Sequence, residues 1–153
     1  MQGNVSGQDM SGFDLNAFLP YQLAVLASRV SREFSTLYKQ KFGISVAEWR
    51  VVAHLSQEGS VSVREIHRRV DMDKSKVSRA ASRLESRGFV TKSANPEDGR
   101  LVSLALTWAG HEMIAEMTPI AREFEASVLR ELGEDAEAFR GLIAQLVSGA
   151  PKG

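Results

Sequence analysis

The sequence predicts a mainly α fold with a small β-hairpin (α+β), and three observations point to it. Apolar residues recur at steps of three and four over most of the 153 residues. Serine, threonine or aspartate precedes most of the helical segments, as N-caps do. One turn-rich stretch, Asn95 to Arg100 (NPEDGR), separates two strand-like runs, FVTKS and LVSLALT.

The elements follow in order. Residues 1–12 (MQGNVSGQDMSG) contain no basic residue and no long apolar core, so they match neither a signal nor a transit peptide and are expected to form a flexible tail. From Phe13 to Phe42, Leu19, Leu23, Leu26, Val30, Phe34 and Leu37 make an amphipathic stripe, and Gly43 ends this first helix. Ser45-Val46-Ala47-Glu48 has the form of a capping box, which predicts a second helix over about Val46 to Gln57. After Glu58-Gly59, Ser60-Val61 can be briefly extended, and Ser62-Val63-Arg64-Glu65 repeats the box to open a third helix. Val63, Ile66 and Val70 form its apolar side, with His67 beside them. Asp71-Met72-Asp73 is a turn, and Asp73 caps a fourth helix from Lys74 to Ser86. Two short helices joined by three residues are a helix-turn-helix.

Gly88 closes the fourth helix ahead of the hairpin, in which Leu101, Ser103 and Ala105 alternate with Val102, Leu104 and Leu106 as a half-buried strand requires. In the turn, Pro96 and Gly99 supply the turn chemistry, and Asp98 and Arg100, two apart, can share one side at the start of that strand. Thr107 can cap a fifth helix carrying Met113, Ile114, Met117, Ile120, Ala121, Phe124 and Val128, which Pro119 is expected to kink or break. Past Gly133, Phe139, Leu142, Ile143 and Leu146 define a last helix.

Composition narrows the function classes. The chain is 43% hydrophobic and 25% charged, and no apolar run approaches the roughly 20 residues of a membrane span, which points to a cytoplasmic protein. Absence of cysteine removes disulfides, thiolate catalysis and cysteine-ligated zinc. His54, His67 and His111 are isolated, so no metal site and no catalytic residue is expected. The formal charge is zero but uneven: residues 64–100 hold ten Lys or Arg against six Asp or Glu, and residues 101–153 hold four against eight. Such asymmetry can conceal a nucleic-acid surface within a neutral total.

The fourth helix carries that surface. Val77, Ala80, Ala81 and Leu84 form the inward stripe, which leaves Ser75, Lys76, Arg79, Ser82 and Arg83 on a small, polar and basic side with no acid before Glu85. Short serines let a helix approach DNA closely, and arginine can bind guanine through two hydrogen bonds.

The element order, with Asp98-Gly99-Arg100-Leu101-Val102-Ser103-Leu104-Ala105-Leu106-Thr107, resembles the MarR family of bacterial transcription regulators, whose wing pattern is D-x-R followed by an apolar-x-Leu-Thr. LAVLASRVSREFSTLY and FGISVAEWRVVAHL also look like the family's first two helices, so the resemblance runs from about Leu19 to Leu146. It implies a winged helix-turn-helix (43–106) flanked by helical dimerisation arms (13–42 and 107–148), acting as a homodimer on double-stranded DNA. Most such regulators are repressors, and a two-fold dimer implies a pseudo-palindromic operator. Carried onto this chain, Ser75, Lys76, Ser78, Arg79 and Arg83 contact bases or phosphates, Arg100 enters the minor groove, and Asp98 holds Arg100.

The resemblance also implies no cofactor but a small anionic aromatic effector, such as an aromatic acid or its CoA thioester, at the junction of arms and winged domain. Arg32, Tyr38, Trp49, Arg50 and His54 are the candidates to line that site; the alternatives are core packing for Trp49 and an ion pair for Arg50. FLPYQLAVLASRVS and EWRVVA are similar to family members that control aromatic-acid catabolism through acyl-CoA thioesters. Absence of cysteine argues against the peroxide-sensing branch. Two rival classes stand beside this reading. An enzyme would need a nucleophile motif or a phosphate loop, which the sequence lacks. A winged helix that binds only protein would need acids that neutralise Lys76, Arg79, Arg83 and Arg100.

Overall fold

A computed structural model describes residues 12–70, 72–95 and 97–149. The tail at residues 1–11, Asp71 of the turn and Pro96 of the hairpin lie outside the described residues. The chain divides into two compact units, the first ending at Gly43 and the second beginning at Ile44.

In the first unit, helix α1 runs Leu19–Phe42, shorter than the 13–42 periodicity predicts. A separate 3-10 turn, Leu15–Ala17, precedes it, capped by Asp14, whose carboxylate accepts the Asn16 N–H at 3.1 Å. The cause is Pro20 in the first turn of α1. Proline has no N–H and its ring clashes with the carbonyl four residues back, so it is favoured in the first turn of a helix, where that N–H has no helical partner. Gly43 ends α1 at φ 68°, its N–H bonded to the Lys39 carbonyl. The first half of the predicted stripe is exposed, including Leu19, Leu23 and Leu26, whereas Ser35 and Tyr38 are buried.

The second unit contains α2 (Val46–Gln57), β1 (Val61–Ser62), α3 (Val63–Val70), α4 (Lys74–Ser86), β2 (Val90–Ala94), β3 (Val102–Leu106), α5 (Trp108–Arg130) and α6 (Ala136–Ser148). The box at α2 is complete: Ser45 Oγ accepts the Glu48 N–H at 3.1 Å and Glu48 Oε1 accepts the Ser45 N–H at 2.7 Å. At α3, Ser62 Oγ accepts the Glu65 N–H, while Glu65 pairs with Arg69. Val51, Val52 and Leu55 of α2, Ile66 of α3, the stripe Val77, Ala80, Ala81 and Leu84 of α4, Leu104 of β3, and Met113 and Met117 of α5 are buried. At about 1.5–3 kcal/mol for each large apolar side chain fully buried, this core holds α4 so that its polar side faces outward.

Two expectations for the sheet change. The hairpin is part of a three-stranded antiparallel sheet in the order β1-β3-β2, with Val61 opposite Leu104 and Lys92 opposite Leu104 on the other side. Because β3 is central, Ser103 and Leu104 are both buried, and the predicted one-sided alternation is lost there. Pro119 does not break α5, which continues from Trp108 to Arg130. The proline removes one helical hydrogen bond, and beside it Thr118 Oγ1 donates to the Ile114 carbonyl at 2.7 Å. In α6 no residue is buried, and Leu142, Leu146 and Val147 are exposed.

Candidate nucleic-acid interface

Asp73 sets the start of α4. Its Oδ1 accepts the Lys76 N–H at 2.9 Å and the Ser75 hydroxyl at 2.8 Å, and its carboxyl is held below the usual carboxylate value by these two bonds in that order. His67 Nδ1 is bonded to the Met72 carbonyl, which ties the end of α3 to the turn. Along α4, Ser75, Lys76, Ser78, Arg79, Ser82 and Arg83 are all exposed, and among the described residues no ion pair engages Lys76 or Arg79.

Arg83 is placed differently from its neighbours. Its Nε lies 3.6 Å from Glu48 Oε2, so the polar side of α4 is not free of acid. The Glu48 side chain is 5% exposed and also closes the cap of α2, whereas the Arg83 side chain is 52% exposed. A single buried carboxylate thus ties the end of α4 to the start of α2 and positions the Arg83 side chain.

The hairpin tip is built by side chains. Asn95 Oδ1 accepts the N–H groups of Glu97 and Asp98, and the Asn95 N–H donates to the Leu101 carbonyl. Local Asx bonding therefore turns the chain. Gly99 lies in the turn, as expected, without adopting positive φ. Asp98 and Arg100 meet, although in the turn ahead of β3 and not on a strand: Arg100 donates from Nε to Oδ1 at 3.2 Å, from Nη2 to Oδ2 at 3.4 Å and from its backbone N–H to Oδ1 at 3.1 Å. The Arg100 side chain nevertheless remains 91% exposed.

Those bonds hold the Asp98 carboxyl below its ordinary value of 3.8, the side-chain bond contributing most, the backbone bond next, and Arg64 adding a smaller effect. A depressed folded pKa means that the lock is complete above pH 3.8 and is lost as pH falls through the lower folded value. The Asp98 side-chain carboxyl carbon shift is therefore expected to be unchanged between pH 5 and 8 and to move only in stronger acid. Asp98→Ala is expected to weaken DNA binding although it removes a negative charge; equal or tighter binding in a salt-matched shift assay would show that Arg100 needs no holding.

Between α4 and the hairpin lies a depression of about 180 Å³ to which Ser78 and Arg100 contribute, together with Arg64, Lys74 and Lys92. Lys92 Nζ donates to Ser82 Oγ at 2.8 Å and lies 3.8 Å from Glu85. Arg64, Lys74 and Lys92 come from three separate elements, so no motif in the sequence joins them; only the basic excess of residues 64–100 points to this region.

The effector candidates divide. Trp49 is half-buried, not core, and with His54 it lines a groove of about 460 Å³ between α2 and α5, which Ile114, Thr118 and Arg122 complete. Arg50 is half-buried and does not line this groove, and no ion pair engages it among the described residues. In the first unit, Arg32 donates to Ser28 Oγ, and Tyr38 is buried with its ring edge-on to Phe34, centroids 5.4 Å apart. Among the described residues no group of His, Asp and Glu is placed to hold a metal ion, and no helix is long and apolar enough to cross a membrane.

A three-stranded sheet with a hairpin beside an outward-facing basic helix defines a winged helix-turn-helix protein. A sequence profile of the MarR family matches residues 44–102. The HTH-type transcriptional repressor IacR of Pseudomonas putida is 30% identical over 103 residues, 67% of this chain, and the match spans 61% of that relative's length. The uncharacterized HTH-type transcriptional regulator YdgJ of Bacillus subtilis strain 168 is 30% identical over 132 residues, 78% of this chain and 79% of the relative. A crystal structure of a MarR/EmrR family transcriptional regulator from Acinetobacter sp. ADP1 superposes with TM-score 0.75 at 28% identity, covering 90% of this chain and 96% of that one. The chain belongs to the MarR family. Its relatives are transcriptional regulators, not enzymes.

Proposed function

We infer that the protein is a DNA-binding transcriptional regulator that acts in the cytoplasm as a homodimeric repressor on a pseudo-palindromic operator. The carrying observation is the outward basic side of α4, with Lys76 and Arg79 exposed, beside an Arg100 that is held by Asp98 yet still exposed. Arginine and lysine there suit guanine edges and phosphates in the major groove. A single positioned cation at a hairpin tip suits the negative potential of a narrow A·T-rich minor groove.

A protein-only winged helix is the weaker reading. Of the four cations that acids would have to neutralise, Lys76 and Arg79 have no ion pair among the described residues. The resemblance to a named repressor favours repression. Dimerisation would cover the exposed apolar side chains of α1 and α6, which a soluble monomer would leave in water. The arms at 13–42 and 107–148 and the winged domain at 43–106 are the division this reading uses. Half-sites should then lie about 10 bp apart, one helical turn, or slightly more. Genome-wide footprinting with the purified protein tests all of this: paired, inverted half-sites are expected, and protection without sequence preference would refute specific regulation.

The effector site in this reading is the groove of α2 and α5. Its size falls in the range of small-molecule sites. Trp49 offers an aromatic face, and Arg122 and His54 offer polar groups for a carboxylate. A ligand changes DNA binding only if it prefers the DNA-incompetent arrangement. Aromatic acids or their CoA thioesters are expected to raise the melting temperature and release operator DNA, both effects being reduced in Arg122→Gln; no shift with either class would remove this effector class.

A further inference from the structure

The depression between α4 and the hairpin brings together four cationic side chains: Arg64 from the first turn of α3, Lys74 from the first residue of α4, Lys92 from the middle of β2, and Arg100 from the tip. Among the described residues no acidic side chain lines it. Arg100 is bonded to Asp98, and Lys92 to Ser82 and Glu85, but among the described residues no ion pair engages Arg64 or Lys74. Both are exposed. Like charges gathered in one concavity repel one another, so this site gains when an anion enters it. Its floor includes Val63, Ala81 and Val102, and Ser78 presents a hydroxyl at its side.

The position of the depression selects the anion. With α4 in a major groove and Arg100 in the adjacent minor groove, the sugar–phosphate strand that separates the two grooves has to cross the space between helix and hairpin. We propose that this depression is a phosphodiester-binding site, in which Arg64 and Lys74 clamp one backbone phosphate of that strand in each half-site, with Lys92, bonded to Ser82, tying the hairpin to the helix at the matching width. The inference rests on the DNA-binding reading and adds a site to it. Held at this point, the strand fixes the register of the base-reading residues of α4 against Arg100. A free phosphate ion shares the same chemistry, and the experiment separates the two sources.

The test uses the full chain and its operator, with a random duplex as control. Arg64→Gln and Lys74→Gln, singly and together, remove charge from exposed positions and leave the core untouched. The double variant is expected to bind both duplexes roughly tenfold more weakly, in keeping with loss of a charge-assisted hydrogen bond, with the ratio between them unchanged. The slope of log K against log salt should fall in magnitude by about 0.9, one phosphate's share. Phosphate-ethylation interference should lose one position per half-site. Unchanged slope and interference would overturn the inference while leaving DNA binding standing. Absence of salt-dependent DNA binding by the unmodified protein would instead overturn the functional reading on which it rests. Stabilisation of the unmodified protein but not the double variant by millimolar inorganic phosphate, with an unchanged DNA salt slope, would assign the site to a free anion and also overturn the proposal.

Discussion

Replacing Arg79 with alanine is expected to lower specific operator binding by about 1–3 kcal/mol, roughly 5- to 150-fold, the discrimination carried by one bidentate arginine–guanine pair. Binding to a random duplex should fall far less, so the ratio of the two affinities collapses. Arg79 stands on the outward side of α4 opposite a stripe whose members are all buried. Its loss therefore leaves the fold intact, and the thermal midpoint should hardly move. Arg100→Ala is expected to weaken binding as well, with a smaller change in major-groove sequence preference. Unchanged affinity in both variants, in a salt-matched shift assay, would sink the assignment of α4 and the hairpin as the DNA surface.

Gly110→Ala is expected to give the largest loss of stability from a single added methyl. A Cβ at Gly110 would stand 2.3 Å from the Phe89 carbonyl oxygen and about 3 Å from the Leu106 side chain. The oxygen is backbone and is not free to retreat: it accepts the Thr107 N–H at 3.0 Å. Thr107 itself caps α5 through the Gly110 N–H at 3.1 Å and donates from its hydroxyl to the Gly88 carbonyl at 2.6 Å. Forcing the contact apart would disturb the junction of α4, β2 and α5 together. Overpacking costs about 1–3 kcal/mol and occasionally more, which for a chain of this length corresponds to a melting midpoint lower by roughly 2–12 °C. A thermal melt with no loss would show that α5 can slide away from the junction.

Much of the local structure was legible because its signals act within a few residues. The Ser45–Glu48 box and the Asp73 cap placed the starts of α2 and α4, and helical periodicity separated the buried Val77, Ala80, Ala81 and Leu84 from the outward residues. The D-x-R pattern anticipated the Asp98–Arg100 contact, since two residues apart is within reach of a single side chain. Pro20 is the local signal for the start of α1: the apolar stripe runs back to Phe13, but the helix begins at Leu19 with the proline in its first turn. The Asn95 side chain, which organises the turn, is likewise a local signal in the sequence.

What sequence determined by itself was the order of the main helices and the basic side of α4, which rest on hydrogen bonds and periodicities spanning about one helical turn, and the family resemblance, which rests on the wing motif and the element order. Tertiary structure alone decided which distant residues share a site. It paired β1 with β3 across some forty residues, attached Arg83 to the buried Glu48, exposed Trp49 to a groove with Arg122, and gathered Arg64, Lys74, Lys92 and Arg100 around one depression. Such convergences follow from packing of apolar faces whose contacts are non-directional, so no spacing in the sequence announces which polar groups will be carried together.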